Sequence, residues 1–341
     1  MARRARAGRG IVGALVVALL VVAAAPAVQV ASAARQATCN GHAELCKRRY
    51  DQVAYAATHN SMNTVADQFS LPEQERPIAA QLAGGIRAFL IDVYSATPGT
   101  GIVCTDPTPL KVAQIKQDSG QAAVDQLLQI RSSEQCPPGG GPTSGLYLCH
   151  GFCELGATKF DDQLAAFRTF LRKNPNDVVT LILEDYAPAE DIMKSFRAAG
   201  LEKQMVRHEP GKRWPTLAQM KKRGTRLVVF SQNQGGASPG LLDAFQEMNE
   251  TPYTFHTAAE LSCAPNRGPA TSPLFLLNHW IDTTDKRSAA QAVNQYAVLD
   301  ARAKQCATER GHIPNFVAVN FAEDGDLLRV VDDLNGVTSA R

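Results

Sequence analysis

A distorted (β/α)8 TIM barrel, an α/β fold built as a single domain, is what this chain of 341 residues predicts. Three observations predict it. About eight short apolar runs recur, most of them followed by helical spacing, which is the alternation of a parallel sheet with helices outside it. Roughly 300 residues remain once an N-terminal leader is set aside, enough for eight such units. No GxGxxG or Walker sequence occurs, although a doubly wound sheet would carry a glycine-rich phosphate loop after an early strand.

The leader is residues 1–33. Arg3, Arg4, Arg6 and Arg9 precede an apolar run from Ile11 to Ala25, and Ala31-Ser32-Ala33 is a small-x-small cleavage site. That is the pattern of a secretory signal peptide; the run is too short for a membrane span. A secreted, extracellular protein is expected. Without those four arginines the formal charge of +2 becomes −2, so the basic balance belongs to the leader and implies no nucleic-acid partner. Hydrophobic residues make up 45% of the chain, which supports a sizeable core. Eight cysteines follow the leader, an even number that points to disulfides in an exported protein. Eight cysteines allow 105 connectivities, which the sequence leaves open; pairing neighbours along the chain gives Cys39–Cys46, Cys104–Cys136, Cys149–Cys153 and Cys263–Cys306. No CxxC pair or His/Cys spacing suits zinc.

Residues 34–52 form a polar lead-in, and the barrel is expected over 53–335 with an insertion at 94–144. The first strand is Val53 to Thr58, a run of small apolar residues that ends abruptly at His59-Asn60-Ser61. A helix end at Ala79 to Gly84 has a glycine stop at Gly84-Gly85. The second strand is Ile86 to Val93. Prolines and glycines mark the insertion, with helical spacing over Ala113 to Ile130; a loop of that size is usually functional. Gly145 to Cys149 is read as the third strand, ending at His150, and Val178 to Leu183 as the fourth, ending at Glu184-Asp185. Between them, helix Asp161 to Lys173 carries Leu164, Phe167, Phe170 and Leu171 on one face. Helix Ala189 to Ala199, a weak strand at Gln204 to Arg207, helix Thr216 to Lys222, and strands at Arg226 to Ser231, Leu274 to Asn278 and Phe316 to Phe321 complete the pattern.

A barrel carries its site at the C-terminal ends of its strands. Those ends hold His59 and Asn60, Asp92, His150 and Glu184, then His208, Gln232, Asn278 with His279, and Asn320. Each has a structural reading by itself. A histidine at a strand end can be a hydrogen-bonded core residue, and Glu184-Asp185 can compensate a helix dipole. Asp92 can be an interior polar residue. Their recurrence on successive ends favours one shared site. Two imidazoles suit a general base and a general acid. Oxygens from Asn60, Asp92 and Glu184 suit a hard cation such as Ca²⁺. Base, acid and cation together describe phosphodiester cleavage. A serine hydrolase is disfavoured because no GxSxG elbow occurs.

Several segments carry a resemblance: Thr58-His59-Asn60-Ser61-Met62, Gln81-Leu82 with Gly85 to Asp92, Leu148-Cys149-His150, Asn174-Pro175 with Val178 to Tyr186, Trp214-Pro215-Thr216, Arg226 to Ser231, and Pro314 to Phe321. Together they resemble the X domain of phosphatidylinositol-specific phospholipase C, in its secreted, X-domain-only branch. The resemblance covers nearly the whole chain after the leader. It implies that His59 is the base taking the proton of the inositol 2-hydroxyl, and that His150 is the acid protonating the leaving glycerol oxygen. Cyclic inositol phosphate and diacylglycerol would be the products. It implies Asn60, Asp92 and Glu184 as Ca²⁺ ligands, since metal-free members have Asp at the position of Asn60 and Arg at that of Asp92. One departure is Leu90, where metal users carry a second acid; a weaker Ca²⁺ site is expected. Arg87, Asn278 and Asn320 are candidate substrate contacts. A phospholipid or phosphodiester headgroup is the expected substrate, with transient membrane-surface contact and a monomeric enzyme. The competing readings are a glycerophosphodiesterase or sphingomyelinase D-like barrel, which favours a Glu-x-Asp pair where this chain has Leu90-Ile91-Asp92, and a catalytically silent barrel that grips a phosphate or sugar.

Overall fold

The computed structural model describes residues 38–105, 112, 113, 116, 121, 124, 125, 127–131, 135–137 and 145–338. The signal peptide read from residues 1–33 and about half of the helix expected over 113–130 lie outside them; the described residues between 112 and 131 are helical. No helix among the described residues is long and apolar enough to cross a membrane.

The strands in chain order are β1 (Tyr55–Thr58), β2 (Ala88–Pro98), β3 (Val103–Thr105), β4 (Gly145–Leu148), β5 (Thr158–Lys159), β6 (Val179–Asp185), β7 (Leu227–Ser231), β8 (Leu242–Asp243), β9 (Met248–Glu250), β10 (Leu274–His279) and β11 (Phe316–Val319). Eight of them form a parallel sheet in the order β8-β7-β6-β2-β1-β11-β10-β9. Neighbours in that sheet follow one another in the chain apart from the excursion β3–β5, and β11 returns to pair with β1, Tyr55 opposite Phe316. This is the connectivity of a (β/α)8 barrel, with one seam: β8 and β9 do not pair. The exposed edge of β9 is covered by a loop, with Asn266 N donating to Glu250 O at 3.0 Å and Glu250 N to Arg267 O at 3.1 Å. Gly268 permits that approach; a Cβ there would lie 2.0 Å from Met248 O.

Alternation along the strands divides the core in two. On β2, Phe89, Ile91 and Val93 pack outward, against a layer that includes Leu164, Phe167 and Leu171. Ala88 and Leu90 point inward, with Ile182, Phe230, Leu276 and Phe316. Helix Phe160–Lys173 buries Phe160, Leu164, Phe167 and Leu171 at three- and four-residue spacing, with Asp161 and Asp162 in its first turn and Arg172 and Lys173 in its last. The lead-in contributes to the inner layer: Tyr50 packs on Trp214 at 4.6 Å and on Tyr55 at 5.1 Å between ring centroids, and its hydroxyl bonds Thr180 Oγ1 at 2.6 Å.

Three expectations are corrected. Gly145–Leu148 is not the third barrel strand; it runs antiparallel to the extended end of β2, with Val93 opposite Leu148, and β6 takes the third place. Gln204 to Arg207 contributes only an isolated bridge, Met205 to Leu227. The first strand begins at Tyr55 because Ala54 has both backbone groups bonded to the Asn335 side chain. All four neighbour-paired disulfides are present, with Cα separations of 5.1, 5.8, 4.9 and 5.1 Å.

Candidate active site

His59 leaves β1 beside Asn320, which leaves β11; the two strands are in register with Thr58 opposite Val319. His59 N donates to Val319 O at 3.0 Å, and its ring Nδ1 lies 2.9 Å from Asn320 Oδ1. The amide oxygen can only accept, so Nδ1 carries the proton and Nε2 the lone pair. The ring stacks on Trp280, 3.7 Å between centroids and 5° from parallel. Burial lowers the His59 pKa below its ordinary value, and the nearby Glu73 charge and the Asn320 bond oppose this without reversing it. Asn60 and Phe321 both sit in the left-handed region, at φ +43° and +45°, an unusual conformation for a non-glycine residue that ends each strand at the site.

His150 follows β4. Its Nδ1 is 3.1 Å from Asp92 Oδ2 and 3.0 Å from Asn60 Nδ2. Only an acceptor can take a proton from Nδ1, so the productive bond runs from the ring to Asp92. Burial would lower the His150 pKa, but the Asp92 hydrogen bond and the Glu73 and Asp92 charges outweigh it and push it up to about 9. The two histidines thus have opposite proton affinities: His59 is neutral near pH 7 and His150 is charged.

Between them lies Glu73, from the loop after β1. Its carboxylate accepts from Asn60 Nδ2 and from Lys286 Nζ and stands 3.7 Å from His59 Nδ1. Burial alone would raise its pKa; Lys286 and the protonated forms of His59 and His150 prevail and hold it well below the carboxylate range. Sequence reasoning missed Glu73, Lys286 and Trp280. Glu73 lies in an aperiodic polar stretch and Lys286 opens a helix that no motif marks, so only the fold brings them in.

Asp92 and Glu184 are register partners on β2 and β6, which puts both carboxylates on one face about 4.8 Å apart in backbone spacing. Tyr186 Oη donates to Glu184 Oε1. Burial and then the Asp92 charge push Glu184 up to about 7. Asp92 also accepts from His150, so Glu184 is the member of the pair that resists ionisation.

The structure brings His59, Asn60, Asp92, His150, Glu184 and Asn320 to one end of the barrel. Asn320 acts on His59 rather than facing the cleft alone. Asn278 belongs to an adjoining network: its Nδ2 donates to Glu250 Oε2 at 3.2 Å and Thr251 O at 2.8 Å, while its buried Oδ1 has no partner among the described residues. Arg267 bonds Glu250 and, at 2.9 Å, Gln232 Oε1. Arg87 is a correction. It precedes β2 at the far end, bonded to Asp177 Oδ1 at 3.3 Å and to Leu82 O and Ile86 O at 2.8 Å, roughly 16 Å along the strand from Asp92. His208 stacks on Trp214 and bonds Glu247 at 2.8 Å. His279 is sealed between Val293 O and Arg302, its pKa pushed down to about 3 by burial and then by Arg302. Both are structural.

A family model described as PI-PLC X matches residues 141–335. The chain belongs to the PI-PLC X domain family. It is 25% identical to "PI-PLC X domain-containing protein 1" of Arthroderma benhamiae, over 95% of this chain and 96% of that protein. A second Arthroderma benhamiae protein, described as an uncharacterized secreted protein, is 24% identical over 88% of this chain and 64% of its own length. A PI-PLC X domain-containing protein of Arabidopsis thaliana is 30% identical over 56% of this chain and 49% of its own length. The fold is that of phosphatidylinositol-specific phospholipase C from Listeria monocytogenes, at 13% identity and TM-score 0.50 over 86% of this chain and 96% of that one. The Staphylococcus aureus enzyme gives a TM-score of 0.51 at 12% identity, over 86% and 95%. Membership of the PI-PLC X family supports a phosphodiesterase-like function.

Proposed function

We propose that this chain is a secreted phosphoric diester hydrolase that cleaves phosphatidylinositol-type lipids, with His59 as general base and His150 as general acid. The observation that carries the reading is the pair of anchored imidazoles with opposite proton affinities. Each uses Nδ1 for a protein partner and keeps Nε2 for the reaction. The inositol 2-hydroxyl gives its proton to His59 Nε2 as its oxygen attacks phosphorus. The bond from phosphorus to the glycerol oxygen breaks, and that oxygen takes the His150 proton. Cyclic inositol phosphate and diacylglycerol leave, with one net proton moved from the acid His150 to the base His59. Each imidazole contributes about 10²–10⁴-fold.

Asn60, Asp92 and Glu184 fit a Ca²⁺ ion. Two carboxylates in register on neighbouring strands favour a cation, and the bond from Asn60 Nδ2 to Glu73 leaves its Oδ1 as the free oxygen. When bound, the ion would polarise the phosphate oxygens and acidify the attacking hydroxyl. Leu90 lies inside the barrel below Asp92, so three protein oxygens are available against the six to eight that Ca²⁺ takes, and weak binding is expected. Transient contact with a lipid surface is supported by Leu71 and Val65, on the loop after β1, and Tyr253, after β9; they are 58%, 43% and 43% exposed at the end of the barrel that holds the site. Four disulfides support export.

The test is turnover on vesicles with a panel of headgroups, products read by phosphorus NMR. A cyclic phosphate from phosphatidylinositol is expected. Release of phosphatidic acid instead, or no turnover of any phosphodiester, would sink the reading.

A further inference from the structure

The mechanism above leaves one cation in the cleft without a task. Lys286 opens helix Lys286–Val293 after β10, and its Nζ donates to Glu73 Oε1. The other oxygen of Glu73 is 3.7 Å from His59 Nδ1 and accepts from Asn60 Nδ2, which is 3.0 Å from His150 Nδ1. One side chain therefore separates the ammonium from the base, and two from the acid. The Lys286 side chain is 20% exposed and that of Glu73 3%: the amine reaches from the open cleft onto a buried carboxylate. An ammonium has three N–H donors, and among the described residues only Glu73 takes one. The other cations nearby differ. Arg287 binds Glu75 and Asp324, and Arg267 binds Glu250 and Gln232.

We propose that Lys286 is a catalytic residue that donates to a non-bridging oxygen of the substrate phosphodiester, with Glu73 holding it in place. This rests on the phosphodiesterase reading. No bond is made or broken at Lys286. The phosphate group passes from one negative charge to two as the hydroxyl oxygen adds, and a donor already fixed in the cleft stabilises the second charge without reorganisation. A buried carboxylate bonded by two asparagine amides and an ammonium is over-determined, which lets Glu73 fix the end of a long, flexible side chain.

The discriminating experiment separates a phosphate contact from a counter-ion. Inorganic phosphate binding is measured by calorimetry in chelator for the wild type, Lys286→Met, Glu73→Gln, the Glu73→Gln/Lys286→Met double variant and Arg287→Met. The double variant removes both charges of the buried pair and so folds where Lys286→Met alone would strand a carboxylate. Phosphate affinity should fall about tenfold or more in both variants lacking Lys286, fall less in Glu73→Gln, which loosens the anchor but keeps the ammonium, and stay near wild type in Arg287→Met; the double variant should lose about 10²-fold or more in kcat. Recovery of wild-type phosphate binding in the double variant would make Lys286 only the counter-ion of Glu73 and overturn the proposal, as would a wild type that binds no phosphate. Phosphate binding that depends on Lys286 in a protein that turns over no phosphodiester would uphold the contact and reject the enzyme reading.

Discussion

Asp92 Oδ2 and His150 Nδ1 stand 3.1 Å apart although 58 positions separate them in the chain. The contact exists because β2 runs on past the barrel to Pro98 and β4 folds back against that extension, Val93 opposite Leu148. His150, two residues beyond Leu148, is thereby returned to the level of Asp92. The acid of the proposed mechanism is mounted on an antiparallel ribbon, while the base is mounted on the barrel itself.

His59→Ala and His150→Ala should each lower turnover by about 10²-fold or more with the barrel intact by circular dichroism. The losses should not add, because both groups act in one event. With a phosphodiester whose leaving group needs no proton, His150→Ala should recover most activity and His59→Ala should not. Equal recovery would mean that the roles of base and acid are misassigned.

The pH profile of kcat/KM should be a bell. His59 must be neutral and its pKa is lowered, so the acid limb falls below the ordinary histidine value of about 6.5. His150 must be charged, so the alkaline limb lies near its pKa of about 9. His150→Gln should abolish the alkaline limb and spare the acid one. Stability follows the same sign. The raised folded-state pKa of His150 stabilises the fold fully below about 6.5, and that contribution is lost as pH rises through about 9. A profile unchanged by His150→Gln would exclude it as the titrating acid.

Chelation should reduce wild-type turnover and added Ca²⁺ should restore it. Calorimetry should register Ca²⁺ binding with release of a proton near neutral pH, because Glu184 is held up to about 7 without a cation. Asp92→Asn and Glu184→Gln should each weaken that binding. Full activity in chelator, unchanged by Ca²⁺, would discard the metal and leave the reaction to His59, His150 and Lys286.

The disulfides should divide into a local and a global pair of effects. Cys263–Cys306 spans 43 positions and Cys149–Cys153 only 4. Loop entropy then predicts a cost of about 4 kcal/mol for replacing the first pair by alanine and about 2 kcal/mol for the second, measured by urea unfolding. Turnover should show the reverse order, since Cys149 directly precedes His150 and its bridge holds that loop. Equal turnover in both variants would show that the ribbon alone positions His150.

The sequence by itself determined the barrel, the family and the six residues His59, Asn60, Asp92, His150, Glu184 and Asn320 that meet at one end; the disulfide pairing, one of 105 that eight cysteines allow, was decided by the fold. Strand periodicity and polar strand exits are local signals, and parallel connectivity carries them to a common face. The same local logic failed where pairing is not local. Gly145–Leu148 looks like any apolar strand, and nothing in its residues says that it pairs antiparallel with the end of β2. Arg87 sits beside the second strand in the chain, yet strand direction places it at the opposite end from Asp92. Glu73 and Lys286 are 213 positions apart in polar segments with no periodicity. Their meeting depends on β11 closing against β1, which swings the loop after β1 under the helix after β10. Burial lowers the proton affinity of His59, the Asp92 bond and the Glu73 and Asp92 charges raise that of His150, and burial is a property of the folded chain alone.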